Sequence, residues 1–438
     1  MSLPGDRATP VITWLRVKNH RGLNNLELRN LTPLIVFVGP NGSGKSMLVD
    51  VFAFLSECFT VGLREAWDKR GRFRELRTRG SSGPIVIQIK YREPPILGRT
   101  APLITYQLVV NEDRGGPFVE EEWMRWNRRG RGTPFKFLDF HSGQGEVTSG
   151  ELPGEDDART PETLESRDLL AVSTLGRLAK NPRAVALRRF ITDWSLSYLT
   201  ADSTRRAPEA GAQERLSLSG DNLPKVLQYL KEQHPDRLSR ITEALTARVP
   251  RLERVDASVL ADRRLMLQLK DAPFVEPVLA RFTSHGTLKM LAYLTVLYDP
   301  SLPQLIGIEE PENELHQRLL PVFTEVCWDA ADRAQLLVTT DSPFFLNGLR
   351  SEETWVLYRD DLGHTQAWRT SAMPSIRALL KEGAQLGDLW MEGYFDADDP
   401  LRPGLRLPWF EVRLLKTIIP SRKATRDYLR EGELDAEA

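Results

Sequence analysis

The chain has 438 residues, 41% of them hydrophobic and 27% charged, the balance of a globular protein with enough length for two or three domains. Lys and Arg total 59 against 60 Asp and Glu, so overall charge points to neither nucleic acid nor an acidic membrane, and any basic surface must be local. No apolar run reaches the roughly 18 residues of a membrane helix. The N-terminus MSLPGDRATP lacks a basic segment followed by an apolar core, so the expectation is a cytoplasmic chain with no signal peptide. Cys58 and Cys327 lie far apart in apolar, helix-like surroundings and read as buried thiols in a reducing compartment.

In chain order, VITWLRVKN (11–19) alternates like a half-buried strand, and LIVFVG (34–39) runs apolar into glycine like a buried one. SMLVDVFAFLSECF (46–59) keeps helical spacing. IVIQIKY (85–91), ITYQLVV (104–110), the stretch around Trp123 to Trp126 and FKFLDF (135–140) predict an antiparallel meander. Residues 141–167 are rich in Gly, Ser, Glu, Asp and Pro and predict a loop or linker. Helices follow, among them 222–233 and 237–249, then strands near 253–259 and 264–270. A helix at 287–298, strand 304–309, helix 316–331, strands 335–340 and 354–358 and a helical tail complete the chain. The class is α/β, with expected divisions at 1–140 (N-terminal lobe), 141–167 (linker), 168–280 (mainly helical insertion), 281–398 (C-terminal lobe) and 399–438 (tail).

Residues 39–46 read GPNGSGKS and match G-x-x-x-x-G-K-[ST], the P-loop pattern. Its glycines let the backbone turn N–H groups toward phosphate, and the helix that follows adds its N-terminal dipole. The nucleotide stretch is Gly39, Pro40, Asn41, Gly42, Ser43, Gly44, Lys45, Ser46 and Met47, with Lys45 for the β- and γ-phosphates of ATP and Ser46 for Mg2+. LIGIEEPENELH (305–316) runs from apolar strand into Glu309, Glu310, Glu312 and Glu314. Like charges about 4 Å apart repel by roughly 4 kcal/mol at an effective dielectric of 20, so either the stretch is a solvated turn or a cation answers it. With a P-loop upstream, Glu309 is the expected Mg2+-side acid and Glu310 the acid that orients or deprotonates the attacking water. SHGTLKM opens an apolar helix at Ser284 and Gly286, either as an anion-binding helix start or as an ordinary Ser cap.

These motifs, in this order, resemble the ATP-binding-cassette class of P-loop ATPases, and more narrowly the RecF/SMC/OLD-like group of AAA-type core ATPases in DNA repair and phage defence. VKNHRGL (17–23) is similar to that group's N-F-[RK]-G-L entry, with His20 where Phe is common. SHGT (284–287) looks like its signature S-x-G-T, ending in Thr287, and IEEPENELH like its Walker B strand and D-loop, with Glu309 in place of the usual Asp. TTDSPFF (339–345) looks like its T-T-H-S-P switch and SGDNLPKVL (219–227) like its D-G-x-N-L segment. The resemblance covers roughly residues 10–395 and implies a P-loop NTPase fold of the ABC type, with a mixed sheet, an antiparallel β subdomain and an inserted helical region. It implies a homodimer sandwiching ATP, in which Ser284 and Gly286 of one subunit cap the γ-phosphate on the other's P-loop, and an ATP-gated clamp acting on DNA or a partner. The departure is Asp341 at the switch, where the group has His; an aspartate repels a γ-phosphate unless it is protonated, turned away or working through water or a cation. Gln88, the candidate for the Q-loop ligand, reads rather as a strand residue.

REAWDKRGRFRELRTRG (64–80) and RWNRRGRG (125–132) are basic and read either as DNA contacts or as solvated faces. OLD-type relatives carry a metal-dependent Toprim nuclease after the ATPase; the forty-odd residues left here cannot bury such a core, so a nuclease or other effector would act in trans. The apolar tail LRPGLRLPWFEVRLLKTIIP (401–420) docks either on the chain or on a partner. The competing readings are a nucleotide-binding regulatory module with negligible hydrolysis and the ATPase subunit of a transporter.

Overall fold

Two apolar runs far apart in sequence, Leu34–Val38 and Leu305–Glu309, lie in one sheet with a third strand between them. The computed structural model describes residues 9–94, 102–127, 135–148, 159–197, 199, 201–260, 262–299 and 301–395. Strands β1 (Val11–His20), β2 (Leu23–Arg29) and β3 (Leu34–Val38) lead to helices α1 (Lys45–Thr60), α2 (Leu63–Asp68) and α3 (Arg72–Leu76). Strands β4 (Ile85–Arg92), β5 (Leu103–Asp113), β6 (Gly116–Asn127), β7 (Phe135–His141), β8 (Gln144–Thr148) and β9 (Arg159–Thr163) follow. Next come α4 (Ala171–Leu175), α5 (Pro182–Thr192), β10 (Ser195–Ser197), α6 (Ala201–Thr204), α7 (Leu223–Gln233) and α8 (Pro235–Thr246). Strands β11 (Leu252–Val259), β12 (Leu265–Asp271) and β13 (Val278–Leu279) precede α9 (His285–Leu297), β14 (Leu305–Glu309), α10 (Leu320–Ala331) and β15 (Gln335–Thr340). The described chain closes with α11 (Pro343–Leu346), β16 (Thr354–Arg359), β17 (Thr365–Arg369), α12 (Pro374–Lys381) and α13 (Leu386–Met391).

The central sheet runs β10-β14-β15-β3-β16-β17, parallel except for β17 at its edge. Its strands are apolar on both sides because both faces are covered. Ile35, Phe37, Leu305, Leu337 and Leu357 share a core with α1 and the antiparallel sheet. Leu34, Val36, Val38, Ile306, Ile308 and Val338 share another with α9 and α10. The period of two along each strand thus divides one run between two cores. An eight-stranded antiparallel sheet, β2-β1-β4-β5-β6-β7-β8-β9, forms the first lobe, and β11-β12-β13 a third, small sheet.

Where a linker was expected over 141–167, β8 and β9 extend the antiparallel sheet instead. The tight turn after His141 pairs β7 with β8, and backbone pairing outweighs a composition that reads as loop. The 168–280 region carries α4 to α8 and the two expected strands, here β11 and β12, which form a small sheet with β13, and it adds the unexpected β10 to the edge of the central sheet. The helix expected from 316 begins at Leu320, after a 3-10 turn over Gln317–Leu319. The chain divides at Ala397 into two units; the tail expected at 399–438 lies outside the described residues. Among the described residues no helix is long and apolar enough to cross a membrane.

Candidate functional site

The parallel order brings three strand ends level. Val38 lies opposite Thr340, and Thr339 opposite Glu309. The loops leaving β3, β15 and β14 therefore share one rim at the carboxyl ends of the strands, the edge where open α/β sheets bind ligands. Residues 39–44 turn there into α1. Gly44 has φ +111, and a Cβ on it would lie 2.3 Å from Thr365 Oγ1, so no other residue fits. The Thr365 hydroxyl donates to the Ser43 carbonyl at 2.8 Å, and β17 thereby braces the loop from the sheet edge. Ser43 Oγ is buried without a hydrogen-bond partner, Ser46 is exposed, and the first turn of α1 carries no acidic residue. Helix-start N–H groups with no side-chain cap make an anion cradle, so these residues fit a nucleotide phosphate. Asn41 and Gly42 are exposed and Pro40 is partly so, whereas Met47 packs its side chain against Gly22 and the core.

Lys45 Nζ donates to the Gly39 carbonyl at 2.6 Å and to Asp341 Oδ1 at 2.5 Å. Its side chain is 5% exposed and that of Asp341 38%. The cation that the switch aspartate requires is therefore Lys45 of the same chain. Asp341 is also held through its backbone: its N–H donates to Glu312 Oε1 at 2.6 Å, and its carbonyl accepts from Trp390 Nε1 at 3.2 Å. Glu312 Oε2 accepts from the Thr340 hydroxyl at 2.9 Å. Burial raises the pKa of Glu312, against the lowering effect of the Asp341 N–H and the Thr340 hydroxyl.

Glu309 ends β14 and is half-buried. Glu310 takes φ +42, a left-handed conformation in the residue before Pro311, where extended backbone is the rule. Its N–H donates to the Thr339 carbonyl at 2.9 Å, and its Oε2 accepts from Asn313 Nδ2 at 2.8 Å. Strain of this kind costs on the order of 1–3 kcal/mol and gathers where geometry serves chemistry. Glu312 turns in toward β15, whereas Glu314 is exposed. Two strand spacings, roughly 10 Å, separate β14 from β3. Among the described residues no cluster of three or more His, Cys, Asp or Glu is arranged to hold a metal. Mg2+ here would take Ser46 and Glu309 together with phosphate oxygens, the mode the ion prefers.

Ser284 caps α9: its Oγ accepts from the Thr287 N–H at 3.2 Å and lies 2.6 Å from the Thr287 hydroxyl. No hydrogen bond or ion pair links Ser284–Thr287 to residues 39–47 among the described residues. The helix start packs on the acidic turn instead. A Cβ on Gly286 would lie 2.6 Å from the Glu314 carbonyl, and His285 Nδ1 is 3.8 Å from Glu314 Oε1. Lys289, one turn on, is 4% exposed and donates to the Asn313 carbonyl at 2.5 Å. Burial lowers its pKa while Glu314, Glu312 and Glu310 raise it. Lys289 is thus a cation set within the acidic stretch. It was legible as a single charge in the apolar run LKMLAYLTVL (288–297).

Six of the seven bases in the run at 64–80 lie beside a carboxylate. Arg64 pairs with Asp168, Lys69 with Glu57, Arg70 with Asp50 and Glu57, Arg72 with Asp68, and Arg74 and Arg79 with Glu75. Arg77 stacks on Phe73 at 4.5 Å. Gln88 lies in mid-sheet between Arg16 and Gln107. The arginines at 128, 129 and 131 lie outside the described residues.

A family model described as "AAA domain, putative AbiEii toxin, Type IV TA system" matches residues 115–347. That span includes the 284–287, 309–314 and 339–343 segments, while the P-loop precedes it. No curated protein sequence matches the chain. Among solved structures, an SMC head bound to the C-terminal winged-helix domain of ScpA is similar over 82% of this chain and 96% of its own, with TM-score 0.50 and 14% identity. The SMC head domain from Thermotoga maritima matches over 82% and 98%, with TM-score 0.43 and 12% identity. An SMC head from Pyrococcus furiosus with an extended coiled coil, bound to the C-terminal domain of ScpA, matches over 86% and 100%, with TM-score 0.47 and 13% identity. At 14% identity the first of these likenesses is one of fold.

Proposed function

The chain belongs to the AAA-domain family described by the putative AbiEii toxin, and from that premise we propose that it binds and hydrolyses ATP with Mg2+ at the rim formed by residues 39–47, 309–310 and 341. One observation carries this reading: Lys45 stands at the start of a braced helix, on a rim shared with the ends of β14 and β15. Lys45 and the α1 N-terminus hold the β- and γ-phosphates. Mg2+, when bound at Ser46 and Glu309, would offset phosphate charge. Glu310 positions the attacking water and accepts its proton, and Asn313 holds the carboxylate that does so. Purified wild type should hydrolyse ATP, Glu310→Gln should bind ATP yet turn over at least about 100-fold more slowly, and Lys45→Ala should lose binding. Turnover undiminished in Glu310→Gln would remove that residue from the role.

The ATP sandwich belongs to the same proposal. Ser284 and His285 are exposed, the helix start has no polar link to its own P-loop, and Phe282 beside it is 70% exposed. These features favour a second copy of the chain as the completing half. DNA or an effector acting in trans would receive the closure. In the 64–80 run Arg70 is held between Asp50 and Glu57, whereas Arg74 and Arg79 share Glu75 and remain exposed, so any DNA contact from this run would fall to the exposed arginines. Two free, buried cysteines fit a cytoplasmic place. A second reading, a regulatory module of negligible turnover, draws support from the Lys45–Asp341 pair, which occupies the ammonium that phosphate needs.

A further inference from the structure

The acidic turn, the switch and the P-loop lysine are joined by direct polar contacts. Lys289 reaches the Asn313 carbonyl, Glu312 accepts from the Thr340 hydroxyl and the Asp341 N–H, and the Asp341 carboxylate sits on Lys45. Within this chain of contacts Glu312 is the middle member. It bonds not to the Asp341 side chain but to the backbone that aims it. Trp390 fixes the other side of the same residue. A carboxylate buried beside a second carboxylate is costly unless its hydrogen bonds are met, and both oxygens of Glu312 have donors.

We infer that Glu312 is a positioning residue of the site: it holds Asp341 on Lys45 when nucleotide is absent, and it ties that hold to the start of α9. The inference rests on the ATP reading above. A γ-phosphate and the Asp341 carboxylate compete for one ammonium. When only a fraction of molecules has Lys45 free, apparent affinity falls by that fraction. Loosening Glu312 therefore raises the fraction with Lys45 free, and nucleotide binds more tightly. A movement of the α9 start on a second subunit reaches the same lysine through Lys289 and the 312–314 turn. Capture of the α9 start and release of Lys45 become one event.

The test is equilibrium binding of a fluorescent methylanthraniloyl-ATP with Mg2+, followed without turnover. Asp341→Asn should bind about tenfold more tightly than wild type, a difference of about 1.4 kcal/mol. Glu312→Ala should shift affinity the same way. The double variant should bind no more tightly than Asp341→Asn alone, since the two act on one contact. Glu312→Gln keeps the shape and an acceptor for the Asp341 N–H, so it should restore the wild-type value. Should Glu312→Ala fail to fold, Thr340→Val, which frees one oxygen of the clamp at nearly constant volume, should give a smaller shift of the same sign. Wild-type affinity in Glu312→Ala or Thr340→Val, or an effect additive with Asp341→Asn, overturns the positioning role. No binding by any variant, wild type included, overturns the nucleotide reading and the clamp with it.

Discussion

At the scale of single residues, His20 carries a cost that its position explains. It is fully buried next to Phe54, neither ring nitrogen has a hydrogen-bond partner, and Asp50 Oδ2 lies 3.7 Å from Nε2. Burial lowers its pKa to about 4, against the pull of Asp50 and with the push of Arg21 and Arg70. The folded chain therefore keeps the ring neutral while the unfolded chain protonates near its usual 6.5, so the contribution to stability falls as pH drops from about 6.5 toward 4. His20→Phe should raise the melting temperature, and its advantage should widen between pH 7.5 and 5.5. A constant gap across that interval would show that the histidine does not titrate on unfolding as argued. The same scale explains Asp341. Read alone it is an acid placed against phosphate; read with Lys45 at 2.5 Å it is the counter-ion of the P-loop.

At the scale of elements, Glu122 ties β6 to the start of α4. Its carboxylate accepts from the Tyr106 hydroxyl at 2.9 Å and from the backbone N–H groups of Ala171 at 2.5 Å and Val172 at 3.1 Å. Complete burial pushes its pKa up to about 7, though those three donors pull it down. The sign is opposite to that of His20. Between about 4.5 and 7 the unfolded chain has released the proton that the folded chain keeps, so stability from this group falls as pH rises through that window. Glu122→Gln should flatten the fall of melting temperature between pH 5 and 7.5 and leave the His20 effect in place. A slope equal to that of wild type would place the titration elsewhere. The acidic turn works at this scale too, since Pro311, Asn313 and Glu312 fold it back so that one strand end serves two neighbours, β15 and α9.

At the scale of the whole molecule, the proposed ATP sandwich makes the α9 start and the P-loop of one chain each half of a site. ATP and Mg2+ should therefore convert Glu310→Gln from a species of 49.8 kDa to one of twice that mass in light scattering, since slow turnover preserves the closed state. Ser284→Arg should remain at the single mass while still binding ATP, at a local capping cost of about 1 kcal/mol. Doubling by Ser284→Arg, or none by Glu310→Gln with ATP bound, would remove the sandwich. The likeness to SMC heads concerns the fold alone, and the family match covers the 284–287, 309–314 and 339–343 segments.

The sequence by itself determined the parts whose physics is local. GPNGSGKS turns because its glycines can, LIVFV and LIGI become buried strands because they are apolar throughout, and the helices at 45–60, 223–233 and 285–297 follow their period. It determined neither β8 and β9, whose composition reads as loop until neighbouring strands supply hydrogen bonds, nor β10, three residues long and meaningful only beside β14. It left open what answers the acids of LIGIEEPENELH. Tertiary structure decided that, because electrostatic partnership depends on distance in space. Lys289 arrives from α9, Asp341 reaches Lys45 across 296 positions of chain, and Glu312 turns inward to hold them in register.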